Sequence, residues 1–218
     1  MIKAIFFDLD GTLLPMDEKE FTKIYLTSLA KKLIPYHYDP TLLSKGVFLG
    51  LKKMVCNDGT KFNCDVFFDE FSSFYHRDTR KEIPVFLSFY QNEFKDALVA
   101  CKKNPLSKEI VSFCKKNFSF TVLSTNPIFP REAQCARLSF LDLKDTDFDF
   151  VTDYANSKYC KPNPKYFSSL LERFSLKPEE VLLFGNDTVE DFACATSLGI
   201  QVFLLNHSPI VQKGDEKT

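Results

Sequence analysis

Two aspartates one residue apart, Asp8 and Asp10, stand in the stretch Asp8-Leu9-Asp10-Gly11-Thr12, directly after the apolar run Lys3-Ala4-Ile5-Phe6-Phe7. Carboxylates held that close repel, so they share a proton or recruit a cation. A helix N-cap or an Asx turn accounts for one such aspartate and poorly for two. Gly11 permits a sharp change of direction beyond them. A second acidic group follows the apolar run Val181–Phe184, in Gly185-Asn186-Asp187-Thr188-Val189-Glu190-Asp191. Asp187 falls at the end of that run, and Asp191, four positions on, shares a face of the first helical turn. Acids capping a helix are the plainer reading of this segment alone. Coupled to Asp8 and Asp10, it offers the hard oxygen ligands that Mg²⁺ prefers. His37, His76 and His207 show no pairing that favours a nitrogen-rich metal site.

Two further segments are less specific. Ser124-Thr125-Asn126-Pro127 places a hydroxyl and an amide on a turn, which ordinary turn chemistry explains equally well. Cys160-Lys161-Pro162-Asn163-Pro164 fixes a lysine ahead of two prolines that restrict the backbone before a helix. Most lysines are simply solvated; one pinned among carboxylates suits charge balance on an anionic substrate.

Elements that would position these groups follow from the apolar pattern. The runs at residues 3–7, 118–123, 148–152, 181–184 and 200–205 are continuous rather than alternating, as in strands covered on both faces. Helical patterns lie between them at 107–116, 131–138, 164–174 and 188–198. The alternation predicts an α/β chain with a doubly wound, Rossmann-like, parallel five-stranded sheet. Ligands in such sheets bind beyond the carboxyl ends of the strands, where all four segments fall. Residues 16–94 break the rhythm, with Phe21, Ile24, Tyr25 and Leu29 at helical spacing, then Phe67, Phe68, Phe71, Phe74 and Tyr75. They are expected to form an all-helical inserted domain, leaving 1–15 and 95–218 as the catalytic core. The tail, 212–218, reads as frayed.

Composition narrows the function classes. The 218 residues are 44% hydrophobic and 26% charged, with 24 Phe and 8 Tyr, so disorder is excluded as the main state. A net charge of −1 disfavours binding to a nucleic-acid backbone. No stretch approaches the roughly 18 apolar residues of a membrane span, and the N-terminus carries no convincing secretory signal. Seven scattered cysteines without a C-x-x-C pair point to free thiols in a reducing cytoplasm. Phe-rich helices in the insert can serve as its own core or as a dimer surface, so monomer and homodimer both stay open.

Asp8-Leu9-Asp10-Gly11-Thr12, Thr125-Asn126, Lys161-Pro162 and Gly185-Asn186-Asp187 with Asp191 resemble, in order, the four motifs of the haloacid dehalogenase-like (HAD) hydrolase superfamily. The resemblance spans residues 2 to about 206 and implies phosphoryl transfer through an aspartyl-phosphate. It implies Asp8 as nucleophile and Asp10 as general acid and base. Mg²⁺ would be held by Asp8, the main-chain carbonyl of Asp10 and Asp187, with Asp191 supporting. Phosphate would be bound by Thr125, Asn126 and Lys161. The insert lies where this superfamily often carries a helical cap of the C1 type, and only 35 positions separate Asn126 from Lys161, too few for a second large cap. Lys45, Lys52, Lys53, Tyr75 and Arg77 are candidate cap contacts to substrate, each with a surface or core role as the commoner alternative. A dehalogenase would not need the acid at Asp10. The expected activity is therefore hydrolysis of a small phosphorylated metabolite, with a phosphomutase or a non-catalytic binding protein as alternatives.

Overall fold

The computed structural model of the chain describes residues 1–205; His207 and the tail 212–218 lie outside the described residues. Five strands, β1 (Ala4–Phe7), β2 (Phe120–Leu123), β3 (Phe150–Val151), β4 (Val181–Gly185) and β5 (Gln201–Leu204), pair in parallel in the order β3-β2-β1-β4-β5. The expected α/β sheet is thus present, with β1 at its centre. All four residues of β1 are buried: Ile5 and Phe7 join the apolar cluster on one face, and Ala4 and Phe6 join that on the other. This two-sided burial is why the run is continuously apolar. Phe7 is in register with Leu123 and with Phe184. The residues that follow each therefore emerge at one level of the same edge.

Between β1 and β2 run α1 (Glu18–Leu33), α2 (Pro40–Val55), α3 (Asn63–Tyr75) and α4 (Ile83–Gln91), then a 3₁₀ segment at Glu93–Ala100 and α5 (Pro105–Asn117). Asp17 caps α1, its carboxylate accepting from Lys19 N and Glu20 N at 3.1 Å. The stretches entering and leaving the helical region run side by side: Asp17 N donates to Ala100 O at 2.9 Å and Lys102 N to Pro15 O at 2.7 Å. Tyr25, Phe89, Tyr90 and Phe94 pack as an aromatic cluster, joined by Phe129 from the turn after β2.

The core continues with α6 (Arg131–Phe140) and α7 (Lys165–Phe174). Two elements are shorter than their apolar patterns predict. In β3 only two residues pair, with Asp149 N and Thr152 N bonding to β2 carbonyls at its ends. The regular helix expected over 188–198 is instead a wide π turn, Thr188–Ala193, leading into a short α8 (Cys194–Thr196). Both Asp191 N and Phe192 N bond to Asp187 O, at 3.2 and 3.0 Å, which widens the turn. Such bulges occur disproportionately at functional sites. Among the described residues no helix is long and apolar enough to cross a membrane, and all seven cysteines are free thiols.

Candidate active site

The site is assembled from four turns at the carboxyl edge of the sheet. Asp8 leaves β1 with its N–H donating to Phe184 O at 2.9 Å, and Ser124 leaves β2 with its N–H donating to Phe7 O at 2.7 Å. These ladder bonds fix Asp8 and Thr125 beside each other. Thr125 is 2% exposed, and its carbonyl accepts from Thr152 Oγ1 at 2.7 Å and Tyr166 Oη at 2.9 Å. Asn126 Oδ1 accepts from Lys161 N at 3.2 Å, while its Nδ2 donates to Glu190 Oε2 at 2.8 Å. Lys161 precedes a cis proline.

Lys161 is 1% exposed and ties two of the acidic segments together. Its Nζ donates to Asp8 Oδ1 at 2.9 Å and to Asp191 Oδ1 at 2.6 Å. The other oxygen of Asp191 accepts from Asn186 N at 3.0 Å and Asp187 N at 3.1 Å. Gly185 makes room for that carboxylate, since a Cβ there would lie 2.5 Å from it. Asp187 caps the π turn, accepting from Val189 N and Glu190 N at 2.7 Å each. Thr12 Oγ1 donates to Asn186 Oδ1 at 3.1 Å, which holds the first acidic turn against the fourth. Gly11, at φ +78°, takes the left-handed turn between them, and a side chain there would strike Asn186.

Every residue expected at the site from the sequence lies in this cluster, and all but Lys161 line one cavity of about 370 Å³. The amphipathic insert supplies its roof through α1 and α2. None of Lys45, Lys52, Lys53, Tyr75 and Arg77 lines it. Lys53 pairs with Glu70 at 3.8 Å, and Arg77 bonds Glu82 at 2.9 Å and stacks on Tyr38. The roof residues are instead the inward face of those helices, together with Glu18 at the mouth.

Sequence reasoning missed Arg137. Its guanidinium is fully buried and pairs with Asp10 Oδ2 and with Gln134 Oε1, and it donates to Ala133 O at 3.3 Å. The ring of Phe129 lies 4.8 Å from it. The available signal was an arginine in phase with Ala133 and Gln134 on the buried face of α6. Glu190, quoted in the fourth motif without a role, also lines the cavity.

Electrostatics follow from this crowding. Six carboxylates, Asp8, Asp10, Asp187, Glu190, Asp191 and, at the mouth, Glu18, face two cations, Lys161 and Arg137. Burial, opposed by Lys161 and reinforced by Asp191 and Asp10, pushes the Asp8 pKa up to about 8. Burial likewise pushes Glu190 up to about 7. Burial works against charge on Lys161, but Asp191 and Asp8 prevail and hold its pKa well above the ordinary value. A surplus of negative charge in a partly dry site is what a hard cation relieves. The donors fit such an ion: Asp8, Asp187 and the Asp10 carbonyl are all oxygen ligands, and Asp10 Oδ1 is buried without a hydrogen-bond partner. Among the described residues no three His, Cys, Asp or Glu side chains form a ready-made metal cluster. Two carboxylates and a carbonyl leave coordination positions for water and substrate, as Mg²⁺ sites usually do.

Comparison with known proteins decides the family: residues 5–205 match the model of the haloacid dehalogenase-like hydrolases. The chain belongs to the haloacid dehalogenase-like hydrolase family. The hydrolase is 24% identical over 206 residues to the glyceraldehyde 3-phosphate phosphatase of Methanothermobacter thermautotrophicus, covering 94% of this chain and 86% of that relative. Its fold is shared with a HAD phosphatase from Thermococcus onnurineus, at TM-score 0.58 and 18% identity, covering 98% of this chain and 90% of that one. It is shared too with the HAD enzyme BT-2542 of Bacteroides thetaiotaomicron, solved with magnesium and inorganic phosphate, at TM-score 0.56 and 17% identity, covering 94% and 95% of the two chains.

Proposed function

We propose that this hydrolase is a Mg²⁺-dependent phosphatase that cleaves small phosphomonoesters through an aspartyl-phosphate on Asp8. The observation that carries the reading is the bridge from Lys161 Nζ to Asp8 and Asp191 beside the cavity. It presents a carboxylate nucleophile held by a cation at the spot where the strand ends converge. An Asp8 oxygen attacks phosphorus and the bond to the leaving oxygen breaks, that oxygen taking a proton from Asp10. Water then attacks the acyl phosphate, giving a proton back to Asp10 and releasing phosphate as Asp8 is restored. Thr125, Asn126 and Lys161 bind and orient the phosphoryl oxygens. Asp191 keeps Lys161 in place, and Arg137 orients Asp10. Asp8, the Asp10 carbonyl and Asp187 would hold the metal, which supplies charge neutralisation between phosphate and nucleophile when bound.

The phosphatases among its relatives support this activity and a small phosphorylated substrate for it, and the free thiols suit work in a reducing cytoplasm. The helices at residues 16–94 act in this reading as a cap over the site. Phosphate release from an aryl phosphate and a metabolite panel tests it. Turnover is expected with Mg²⁺, lost in EDTA and lost in Asp8→Asn. Activity surviving either treatment refutes the mechanism, and an isomerised sugar phosphate in place of free phosphate identifies a mutase.

A further inference from the structure

The cavity has two unlike halves. Its floor is the polar cluster, whereas its roof and side are Met16, Phe21, Leu26, Val47, Phe48 and Leu51, closed by Ile128 and Phe129. The hydroxyl of Tyr25, which also reaches the wall, is engaged with Tyr90 Oη at 3.0 Å. Among the described residues no lysine, arginine or histidine lines the cavity. Two lysines of α2 have partners outside the cavity, Lys53 on Glu70, and Lys45 over the Phe74 ring at 5.9 Å. The charge the insert does contribute is negative. Glu18 lines the mouth, and burial followed by the charges of Asp10 and Asp187 raises its pKa.

A phosphoryl group seated on the floor beside Asp8 directs its ester substituent at this roof. A second anionic group on that substituent would have to lie among phenylalanine and aliphatic side chains, with the neutral Thr22 hydroxyl as its one polar neighbour on the roof, or against Glu18. An uncharged apolar substituent buries the same surface favourably. Resting on the phosphatase reading, we infer that the substrates are phosphomonoesters whose leaving group is apolar and carries no second anionic group. The roof selects against phosphorylated carboxylic acids and bisphosphates.

The test is kcat/KM with Mg²⁺ for phenyl phosphate, 1-naphthyl phosphate and 4-carboxyphenyl phosphate, whose leaving phenols differ little in acidity. The first two are expected to exceed the third by about tenfold or more. Phe48 is 51% exposed at the rim, so Phe48→Arg is tolerated by the fold and is expected to narrow that ratio at least about fivefold. Glu18→Gln, at an exposed position, should narrow it in the same direction. Equal or faster hydrolysis of the carboxylated ester by the unaltered enzyme overturns the inference while leaving the phosphatase reading intact. So does a ratio that neither variant changes. Hydrolysis of none of the three esters defeats the phosphatase reading and the inference with it.

Discussion

Replacing Arg137 with methionine removes a buried cation while keeping most of the side-chain volume, and the structure sets the size of the effect. Arg137 is 0% exposed and bonded to Asp10, Gln134 and the Ala133 carbonyl, so Arg137→Met strands an aspartate and a glutamine oxygen together. Deleting one member of a buried ion pair costs about 3–5 kcal/mol. The Asp10 side chain keeps 29% of its surface in solvent, which places the cost near the lower end, about 3 kcal/mol. For a chain of this size that corresponds to a fall in Tm of about 6–12 °C. Asp10→Asn alone leaves the arginine charge buried, so it too is destabilising. The double variant should therefore be more stable than the sum of the two by about 1–2 kcal/mol. Calorimetry of the four proteins in EDTA measures that coupling, and steady-state kinetics with Mg²⁺ should show kcat of Arg137→Met reduced about 10–100-fold, because Asp10, the carboxylate proposed for acid-base work, is no longer oriented. Additivity within about 0.5 kcal/mol, or an unchanged kcat, refutes the claim that Arg137 positions Asp10.

Other outcomes follow from the same cluster. Glu190 titrates near 7 in the folded chain and near 4.5 when unfolded, so the native state holds the proton more tightly. Its contribution to stability is fullest below the unfolded value and is lost as pH rises through 7, by roughly 2 kcal/mol after allowing for its partial exposure. Urea titrations in EDTA at pH 5 and 8 should show this fall together with that from Asp8, whose carboxyl is raised to about 8, and Glu190→Gln should remove only the Glu190 share. Gly185→Ala drives a methyl into the Asp191 carboxylate and should cost about 2–3 kcal/mol and at least about 100-fold in kcat. Gly199→Ala, at φ +87° with its nearest neighbour 3.7 Å away, should cost about 1–2 kcal/mol of backbone strain and leave kcat alone. Equal kinetic losses in these two glycine variants would show that the room beside Asp191 is unimportant.

The sheet was legible because its inner strands are covered on both faces, which writes a continuous apolar run into the sequence at Ala4–Phe7 and Val181–Gly185, whereas the edge strand β5 leaves Gln201 and Phe203 exposed. The acidic turns were legible because Asp8 and Asp10, and Asp187 and Asp191, are local pairs whose spacing matters whatever the fold. Arg137 was not, because its partner Asp10 is 127 positions away and only the packing of α6 against the first turn brings them together. The π turn escaped for a related reason. Its widening depends on Asp187 and Asp191 folding back onto neighbouring backbone, a competition that helical periodicity does not record. The residues of the helical region that line the cavity were hidden for a different reason. Charged residues such as Lys45 and Arg77 drew attention by type, whereas the amphipathic pattern could not separate apolar side chains that line a cavity from those that fill a core.

Phe129 touches both halves of the enzyme. Its ring packs on Tyr25, Tyr90 and Phe94 at centroid distances of 5.6, 6.2 and 5.7 Å, and the Arg137 guanidinium that holds Asp10 lies 4.8 Å from it. The aromatic wall and the Asp10 carboxylate, the proton donor of the proposed mechanism, are therefore only two contacts apart. In the proposed mechanism, a leaving group that presses on Phe129 would reach Asp10 through a single arginine. Stripping a substrate of its apolar portion should then slow the chemical step as well as weaken binding, so that recognition remote from phosphorus is converted into catalysis.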